Sequence, residues 1–249
     1  MLGGWIGRLI GVLLLSCTSA SLAGEAVIVE LVGAIGPATS DYVSKSIQEA
    51  ESRGAAVVVL RMDTPGGLDT AMREIIKSIT ASSVPVVGYV APTGSRAASA
   101  GTYILYACHI AAMAPGTNLG AATPVAFGGL PDRAPEKPMP AGGEVDEDAD
   151  AQQPAQTGDA KRNKIVNDAA AYLRSLAQLR GRDAEWAEKA VREAASLPAE
   201  EALASGVIDL VAPNLDRLLE RIDGRLVGMP VGKLRLQTAD LVRVELTPD

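Results

Sequence analysis

The chain has 249 residues, of which 47% are hydrophobic and 21% charged, so it can bury a core and is not disordered throughout. Aromatic residues make up only 3%, which leaves Ala, Val, Ile and Leu to fill that core and favours parallel strands covered by helices. The net charge of −7 argues against nucleic acid as the main partner, two cysteines cannot form a disulfide scaffold, and a single histidine leaves no room for a multi-histidine metal site, so neither a metal nor a cofactor is expected.

Residues 1–23 have the pattern of a secretory leader. A single basic residue precedes the apolar run 9–15, and Ser21-Leu22-Ala23 is the small-x-small pattern that signal peptidase accepts, so cleavage before Gly24 is expected. The apolar run is too short to span a membrane comfortably. Cys17 ends a loose lipoprotein box, which leaves lipidation, or retention of the leader as an anchor, as alternatives. The sequence therefore predicts export, to the periplasm or the extracytoplasmic face of the membrane.

The region 24–127 alternates strands and helices and is interpreted as the first part of one domain. Short apolar runs bounded by Gly or Pro predict buried strands, and apolar residues at the 3.6-residue spacing predict helices. This order predicts an α/β fold with a largely parallel sheet and right-handed crossover helices. The predicted strands are 26–32, 55–62, 84–90 and 109–113, and the predicted helices are 38–53, 69–81 and 96–107.

The stretch 128–160 interrupts this pattern. It holds five Gly, five Pro and eight Asp or Glu against only Arg133 and Lys137, so its net charge of −6 is nearly that of the whole chain. It has almost no large apolar residues and cannot bury itself, which predicts a mobile acidic insertion on the surface. The insertion is either solvated without a function or a lid that gates a site.

Ordered structure is expected to resume at Lys161, in a second part of the domain that covers 161–223. An amphipathic helix begins there and ends at Gly181, and the residues after it predict further short helices and one late strand. The tail 224–249 alternates like short edge strands. The predicted helices are 161–180, 184–194, 197–205 and 214–223, and the predicted strand is 207–211.

Two segments of the first part carry residues that suit nucleophilic catalysis. Pro65-Gly66-Gly67 forms a turn after a buried strand, where glycine lets backbone N–H groups approach a ligand and stabilise an oxyanion. Ser99 lies among very small residues near the start of a helix, whose N–H groups and dipole favour a reactive oxygen. Each pattern alone is also typical of ordinary structure, either a tight strand-to-helix turn or a closely packed helix.

A reactive serine needs a base, and the sequence offers few. His109 is the only imidazole, but it lies in an apolar strand, where a histidine is more often a hydrogen-bonded structural residue. A lysine can serve if burial lowers its pKa, because loss of water disfavours the ammonium. Lys161 and Lys164 are the candidates. Lys164 precedes Ile165 at the start of the apolar stripe, so it is expected to point nearer the core.

Four sequence motifs follow one another at compatible spacing. They are Asp63-Thr64-Pro65-Gly66-Gly67, Ala97-Ala98-Ser99-Ala100-Gly101-Thr102, Met113-Ala114-Pro115-Gly116-Thr117-Asn118-Leu119-Gly120-Ala121-Ala122-Thr123-Pro124-Val125 and Lys164-Ile165-Val166-Asn167-Asp168. Together they resemble the NfeD, or stomatin-operon-partner, group of ClpP-class serine proteases. The similarity covers most of 25–212, apart from the insertion. The resemblance implies a ClpP/crotonase-like fold and a Ser-Lys catalytic dyad.

The resemblance also implies a role for individual residues. Carried over position by position, it makes Ser99 the nucleophile and Lys164 the general base. The backbone N–H groups of Gly67 and Ala100 would form the oxyanion hole, with Gly66 supporting the turn. The acidic insertion lies directly before the lysine and could shift the register, which leaves Lys161 as the alternative base.

The activity implied by the resemblance is that of an ATP-independent serine endopeptidase. It would cleave apolar stretches of membrane-associated proteins, with a stomatin-like membrane protein as partner, and would assemble as a homo-oligomer, a dimer or larger. Two alternatives stay open. If the lysine lay far from the serine, the chain would be a catalytically inactive ClpP-like scaffold for membrane partners. A crotonase-type acyl-CoA enzyme also uses paired N–H groups, but it normally places carboxylates in its site.

Overall fold

The structure is a computed structural model, and it describes residues 24–125 and 154–247. The predicted leader, residues 1–23, lies outside the described residues. So do residues 126–153, which include most of the predicted acidic insertion.

Strands and helices alternate along most of the described chain. The strands are β1 Glu25–Val32, β2 Val57–Asp63, β3 Val86–Val90, β4 Arg96–Ala98, β5 Ile110–Met113, β6 Asn118–Gly120, β7 Ser196–Pro198, β8 Leu210–Val211, β9 Leu226–Gly228, β10 Lys233–Arg235 and β11 Val242–Leu246. The helices are α1 Pro37–Ser52, α2 Asp69–Ala81, α3 Ala100–Ala107, α4 Pro154–Arg180, α5 Ala184–Arg192, α6 Ala199–Ala204 and α7 Leu215–Ile222.

Six strands form one sheet in the order β11-β1-β2-β3-β5-β8, and every pairing in it is parallel. Val27 at the middle of β1 lies opposite Val58 of β2 on one side and Val244 of β11 on the other. Parallel neighbours require a crossover, and α1, α2 and α3 supply the first three. The sheet confirms the predicted α/β fold with crossover helices.

Both faces of this sheet are covered, which explains the continuous apolar runs in the sequence. Side chains alternate across a strand, so Val27 and Val29 enter a large core shared with α1 to α6. Ala26 and Ile28 point the other way, into a smaller core shared with α7. The strands are therefore apolar at successive positions because neither face meets water.

A second sheet of three short strands adjoins the carboxyl end of the main sheet. Its central strand β6 is parallel to β4 and antiparallel to β7. Thr64, the first residue after β2, forms a bridge to Ala97 in β4. The carboxyl ends of parallel strands are where α/β folds place their ligands, so this small sheet lies where a site is expected.

The structure corrects the predicted helix 96–107. Its first residues form β4, Ser99 is a turn residue, and α3 begins directly after it. The reason is a pairing with the loop after β2, because the Thr64 N–H donates to Arg96 O at 2.8 Å and the Ala98 N–H donates to Thr64 O at 3.0 Å. These tertiary hydrogen bonds override the local helical preference of a small-residue run.

Other predicted boundaries also differ. Helix α4 begins at Pro154 and not at Lys161, so the end of the predicted insertion is helical. Strand β8 takes only Leu210–Val211 of the predicted strand 207–211, and the short strands β6 and β7 were not predicted at all. The tail does form short strands, as expected. One of them, β11, completes an edge of the main sheet beside β1.

The buried side chain of Arg182 connects the end of α3 to the main sheet. The Arg182 side chain is 2% exposed and pairs with Asp209 at 2.7 Å. It also donates to Tyr106 O at 2.7 Å and to Cys108 O at 3.1 Å, two carbonyls at the end of α3. The Asp209 carboxylate accepts a second bond from the Ala111 N–H in β5. One guanidinium therefore joins α3 to β5 through Asp209.

Replacement of this arginine tests its structural importance. We expect Arg182→Leu to lower the free energy of unfolding by about 3 kcal/mol, because it leaves a carboxylate and helix-end carbonyls without their donor. Urea denaturation measures the loss. Arg174→Leu is the control, since Arg174 is exposed in its pair with Glu188 and should cost less than about 1 kcal/mol. Equal losses in the two variants would contradict this interpretation.

Candidate active site

Ser99 lies on a sharp turn between β4 and α3. Its backbone has φ 53° and ψ −120°, a conformation that non-glycine residues rarely adopt. The turn is held from one side by the Ser99 N–H, which donates to Gly120 O in β6 at 2.9 Å. Serines on strained strand-to-helix turns present their hydroxyl away from the backbone, as nucleophiles of hydrolases do. The half-buried Ser99 side chain is thus the candidate nucleophile.

The buried side chain of Thr102 braces this turn. Its hydroxyl oxygen lies 2.9 Å from Ala97 O and 3.0 Å from Gly120 O, and it accepts a bond from the Gly120 N–H at 3.1 Å. The hydroxyl proton can serve either carbonyl, so the first turn of α3 is tied to β4 and to β6. Thr102 belongs to a motif seen in the sequence, but its bracing role was not predicted.

The loop Pro65-Gly66-Gly67 packs directly against the serine. Gly66 has φ +106°, and a Cβ atom on it would lie 2.6 Å from Ser99 Cβ and 3.0 Å from Ser99 Oγ. A Cβ atom on Gly67 would lie 2.0 Å from Ile35 O. Both positions therefore require glycine, Gly66 for its backbone conformation and for room beside Ser99, and Gly67 for the close approach of the backbone after β1.

Two backbone N–H groups beside the serine are free to bind a ligand. Among the described residues, neither the Gly67 N–H nor the Ala100 N–H has an acceptor. Ala100 is the first residue of α3, where N–H groups have no partner within the helix and the helix dipole is positive. The Gly66 N–H, by contrast, donates to Thr64 Oγ1 at 3.0 Å, so Gly66 supports the turn and offers no donor.

Lys164 lies in the first part of α4 and is exposed, as is Lys161. The expectation that Lys164 points nearer the core was wrong, because the neighbouring Ile165 is itself 42% exposed and Ala170 is the first buried residue in the part of α4 whose burial is described. Among the described residues, the Ser99 hydroxyl has no hydrogen-bond partner, so the serine and the lysine are not hydrogen-bonded to each other in this structure.

Helix α4 nevertheless brings Lys164 to the same end of the molecule as Ser99. The two helices run in the same direction, because Arg180 at the end of α4 donates to Ala107 O at the end of α3 at 2.8 Å. Nearer their beginnings, the rings of Tyr103 and Tyr172 stack at 6.1 Å. The first parts of both helices therefore lie on the same side of that ring contact.

Arg73 in α2 fixes α4 relative to the glycine loop. Its guanidinium pairs with Asp69 at 2.9 Å and with Asp168 at 2.8 Å, and it lies over the Tyr172 ring at 4.3 Å. Asp168 is one turn after Lys164 along α4, and Asp69 closely follows Gly67. Arg73 thus joins the elements that carry the lysine and the free N–H groups. No sequence pattern pointed to it.

His109 is not placed to act on Ser99. It precedes β5, at the opposite end of α3, and its Nδ1 accepts a bond from the Val86 N–H at 3.1 Å. Burial, assisted by the positive charges of Arg180 and Arg182, lowers the pKa of His109 to about 3. The imidazole is therefore neutral and has a structural role, which is the role that the sequence analysis favoured for His109.

Two features are absent from residues 24–125 and 154–247. No helix there is both long enough and apolar enough to cross a membrane. No three His, Cys, Asp or Glu side chains of the same residues come together as a metal site would require.

Comparison with known proteins gives matches over most of the chain. The family model described as NfeD1b, N-terminal domain matches residues 27–139. The membrane-bound protease PH1510 of Pyrococcus horikoshii is 36% identical over 219 residues, which are 88% of this chain and 44% of that protein. The chain thus spans less than half the length of this curated relative.

Solved structures of the 1510-N membrane-bound stomatin-specific protease also match. A lysine-to-alanine variant in complex with a substrate peptide has a TM-score of 0.76 and 34% identity, over 92% of this chain and 94% of that one. A serine-to-alanine variant has a TM-score of 0.75 and 33% identity, over 91% and 99%. These matches confirm the predicted ClpP-like fold.

The environment of His109 predicts a loss of stability in acid. The unfolded chain binds a proton near the ordinary pKa of 6.5, whereas the folded chain does so only near 3, so stability falls as the pH drops between those values. The largest slope from one such group is about 1.4 kcal/mol per pH unit. Urea denaturation from pH 7 to pH 4 measures it as the difference between wild type and His109→Asn.

The Asn side chain keeps an acceptor for the Val86 N–H but does not titrate. All carboxylates are common to both proteins, so they cancel in the difference. Parallel pH dependences in wild type and variant would show that His109 is not protected from protonation.

Proposed function

The chain belongs to the NfeD family, and from that membership we propose that it is a serine endopeptidase with Ser99 as nucleophile and Lys164 as general base. The observation that carries the proposal is the strained turn at Ser99, whose side chain packs against Gly66 of the glycine loop and which directly precedes the first N–H group of α3. Serine and lysine variants of a similar protease, one with a substrate peptide, support the same pair of residue types. No cofactor is required for this chemistry.

In the proposed reaction, Ser99 Oγ attacks the carbonyl carbon of a peptide bond while neutral Lys164 Nζ takes the hydroxyl proton. The carbonyl oxygen becomes negative and accepts hydrogen bonds from the Gly67 and Ala100 N–H groups, where the positive end of α3 adds to its stabilisation. Lys164 then gives the proton to the leaving amine as the C–N bond breaks. Water, activated by the same amine, releases the acyl group and restores the serine.

The lysine must lose its surrounding water to act as a base at neutral pH. The first part of α4 is exposed, so a bound peptide or a second copy of the chain has to cover it. A homo-oligomer is part of the proposal for this reason. Leu68 beside the glycine loop and Ile165 beside the lysine are 39% and 42% exposed. These side chains favour apolar residues in the peptide that covers them.

We propose a stomatin-like membrane protein as the substrate and the membrane surface as the place of action. The similar solved protease is named as stomatin-specific and membrane-bound, and the curated relative is also a membrane-bound protease. The leader pattern in residues 1–23 supports an extracytoplasmic position. An apolar cleavage site agrees with the exposed leucine and isoleucine beside the reactive groups.

A second candidate function follows from the exposure of Lys164. If nothing removes water from that amine, it stays protonated and the chain is an inactive scaffold for membrane partners. A fluorophosphonate probe separates the two functions, because it labels a serine only when that serine is reactive. Labelling of Ser99 that is lost in Lys164→Ala supports the protease, and absence of labelling at every pH supports the scaffold.

The dyad is tested by Ser99→Ala and Lys164→Ala. We expect each to lower the rate of cleavage of casein, or of an apolar peptide, by about three orders of magnitude, because the two residues act as one unit. Lys161→Ala is the matched control, since Lys161 is an exposed lysine on the same helix, and it should cleave like wild type. Loss of activity in Ser99→Ala and Lys161→Ala, with full activity in Lys164→Ala, would move the base to Lys161. Full activity in both Ser99→Ala and Lys164→Ala would end the proposal.

Arg73 is expected to act as a positioning residue for the lysine. Arg73→Gln should lower kcat/KM about tenfold through misplacement of α4. Arg73→Lys keeps a cation beside Asp69 and Asp168, so it should restore most of the lost kcat/KM. Arg174→Gln, an exposed arginine later in α4, is the control. A loss in Arg73→Gln that matches its loss of folded protein, measured by urea denaturation, would assign Arg73 to stability alone.

A further inference from the structure

A cavity of about 270 Å³ lies at the other end of the molecule from Ser99. It opens where α3 and α4 end and β5 begins, and the eight residues of α3 separate it from the serine by about 12 Å of helix. Its polar lining comes from His109, Arg180, Asp209 and Arg225. The proposed protease activity uses none of these side chains.

The positive charge in this cavity exceeds the negative charge. The only carboxylate in the lining is Asp209, and it is already paired with the buried Arg182 at 2.7 Å. Arg180 donates to Ala107 O at 2.8 Å and to Gly228 O at 3.4 Å, and Arg225 donates to Asp209 O at 3.5 Å, so all three acceptors are backbone carbonyls. Among the described residues neither arginine pairs with a carboxylate of its own. Two guanidinium charges therefore face the cavity without a matching anion.

The ring of His109 adds a hydrogen-bond donor without a partner. Its Nδ1 accepts from the Val86 N–H, so the proton of the neutral ring is on Nε2. The residue is only 8% exposed, and Nε2 is buried with no acceptor among the described residues. A buried donor without an acceptor is costly. A ligand that brings a hydrogen-bond acceptor to Nε2 would remove this cost.

We propose that this cavity binds a phosphate group, held by the guanidinium groups of Arg180 and Arg225 and by the Nε2–H of His109. A phosphate carries up to two negative charges and several acceptor oxygens, which match two arginines and one neutral donor. Leu179 and Leu226 line the same cavity and are 59% and 58% exposed. They would contact the apolar part of a phosphate ester, so both free phosphate and the headgroup of an anionic lipid fit.

The single histidine of the chain makes a direct test simple. A ¹⁵N-labelled full-length chain gives one set of imidazole signals, and these report on the cavity alone. Inorganic phosphate, glycerol phosphate and vesicles of phosphatidylglycerol or of phosphatidylcholine are titrated separately. We expect a saturable change of the His109 signals with the phosphates or with the phosphatidylglycerol vesicles, and none with chloride at equal ionic strength.

Two exposed arginines supply the matched variants. Arg225→Gln should weaken binding about tenfold, since it removes one charge-assisted contact. Arg217→Gln should bind like wild type, because Arg217 pairs with Glu220 on α7 outside the cavity. Binding of the soluble phosphates identifies a soluble ligand, and binding of phosphatidylglycerol vesicles alone identifies a lipid headgroup. No saturable change with any of them, or equal binding by Arg225→Gln and wild type, overturns the proposal.

Discussion

The candidate active site depends on one strained residue, because the backbone of Ser99 must be held at φ 53° and ψ −120°. Such a conformation costs about 1–3 kcal/mol in a non-glycine residue, so the surrounding structure has to impose it. The hydrogen bond from Ser99 to Gly120 and the buried hydroxyl of Thr102 do so from both sides of the turn. The small sheet of β4, β6 and β7 provides part of this support, because Gly120 belongs to β6. Without it, the serine side chain would lose its close packing against Gly66.

Helix α3 connects the two ends of the molecule. All eight of its residues are buried, its first N–H group lies beside the serine, and its last carbonyls accept hydrogen bonds from Arg180 and Arg182. Cations at a helix end satisfy free carbonyls and oppose the negative end of the dipole. Because α4 runs alongside in the same direction, the same two helices carry serine and lysine at one end and the arginine-lined cavity at the other. A movement of either helix along its axis would change both places.

Much of the fold could be predicted from the sequence because a sheet covered on both faces leaves continuous apolar runs, as in β2. Strand β4 could not, since it is a strand only through its tertiary pairings with β6 and with Thr64. The sequence drew attention to Ser99 and Gly66 separately, but their close packing is a tertiary contact. The predicted orientation of the Lys164 side chain was wrong. Hydrophobic periodicity shows which face of a helix is apolar, but it does not show where along the helix the rest of the protein stops covering that face. Arg73 lies in no motif, so only its contacts with Asp168 and Tyr172 reveal it.

The position of β11 has a consequence for biosynthesis. This strand comes from the end of the described chain, yet it pairs with β1 at the beginning, and the Tyr42 hydroxyl donates to Leu246 O at 2.6 Å. This edge of β1 therefore stays without its partner until the ribosome has made residues 242–246. An unpaired apolar edge can pair with other polypeptides and aggregate. The nascent chain consequently gains from protection of β1, by a chaperone or by delayed folding, until β11 is available.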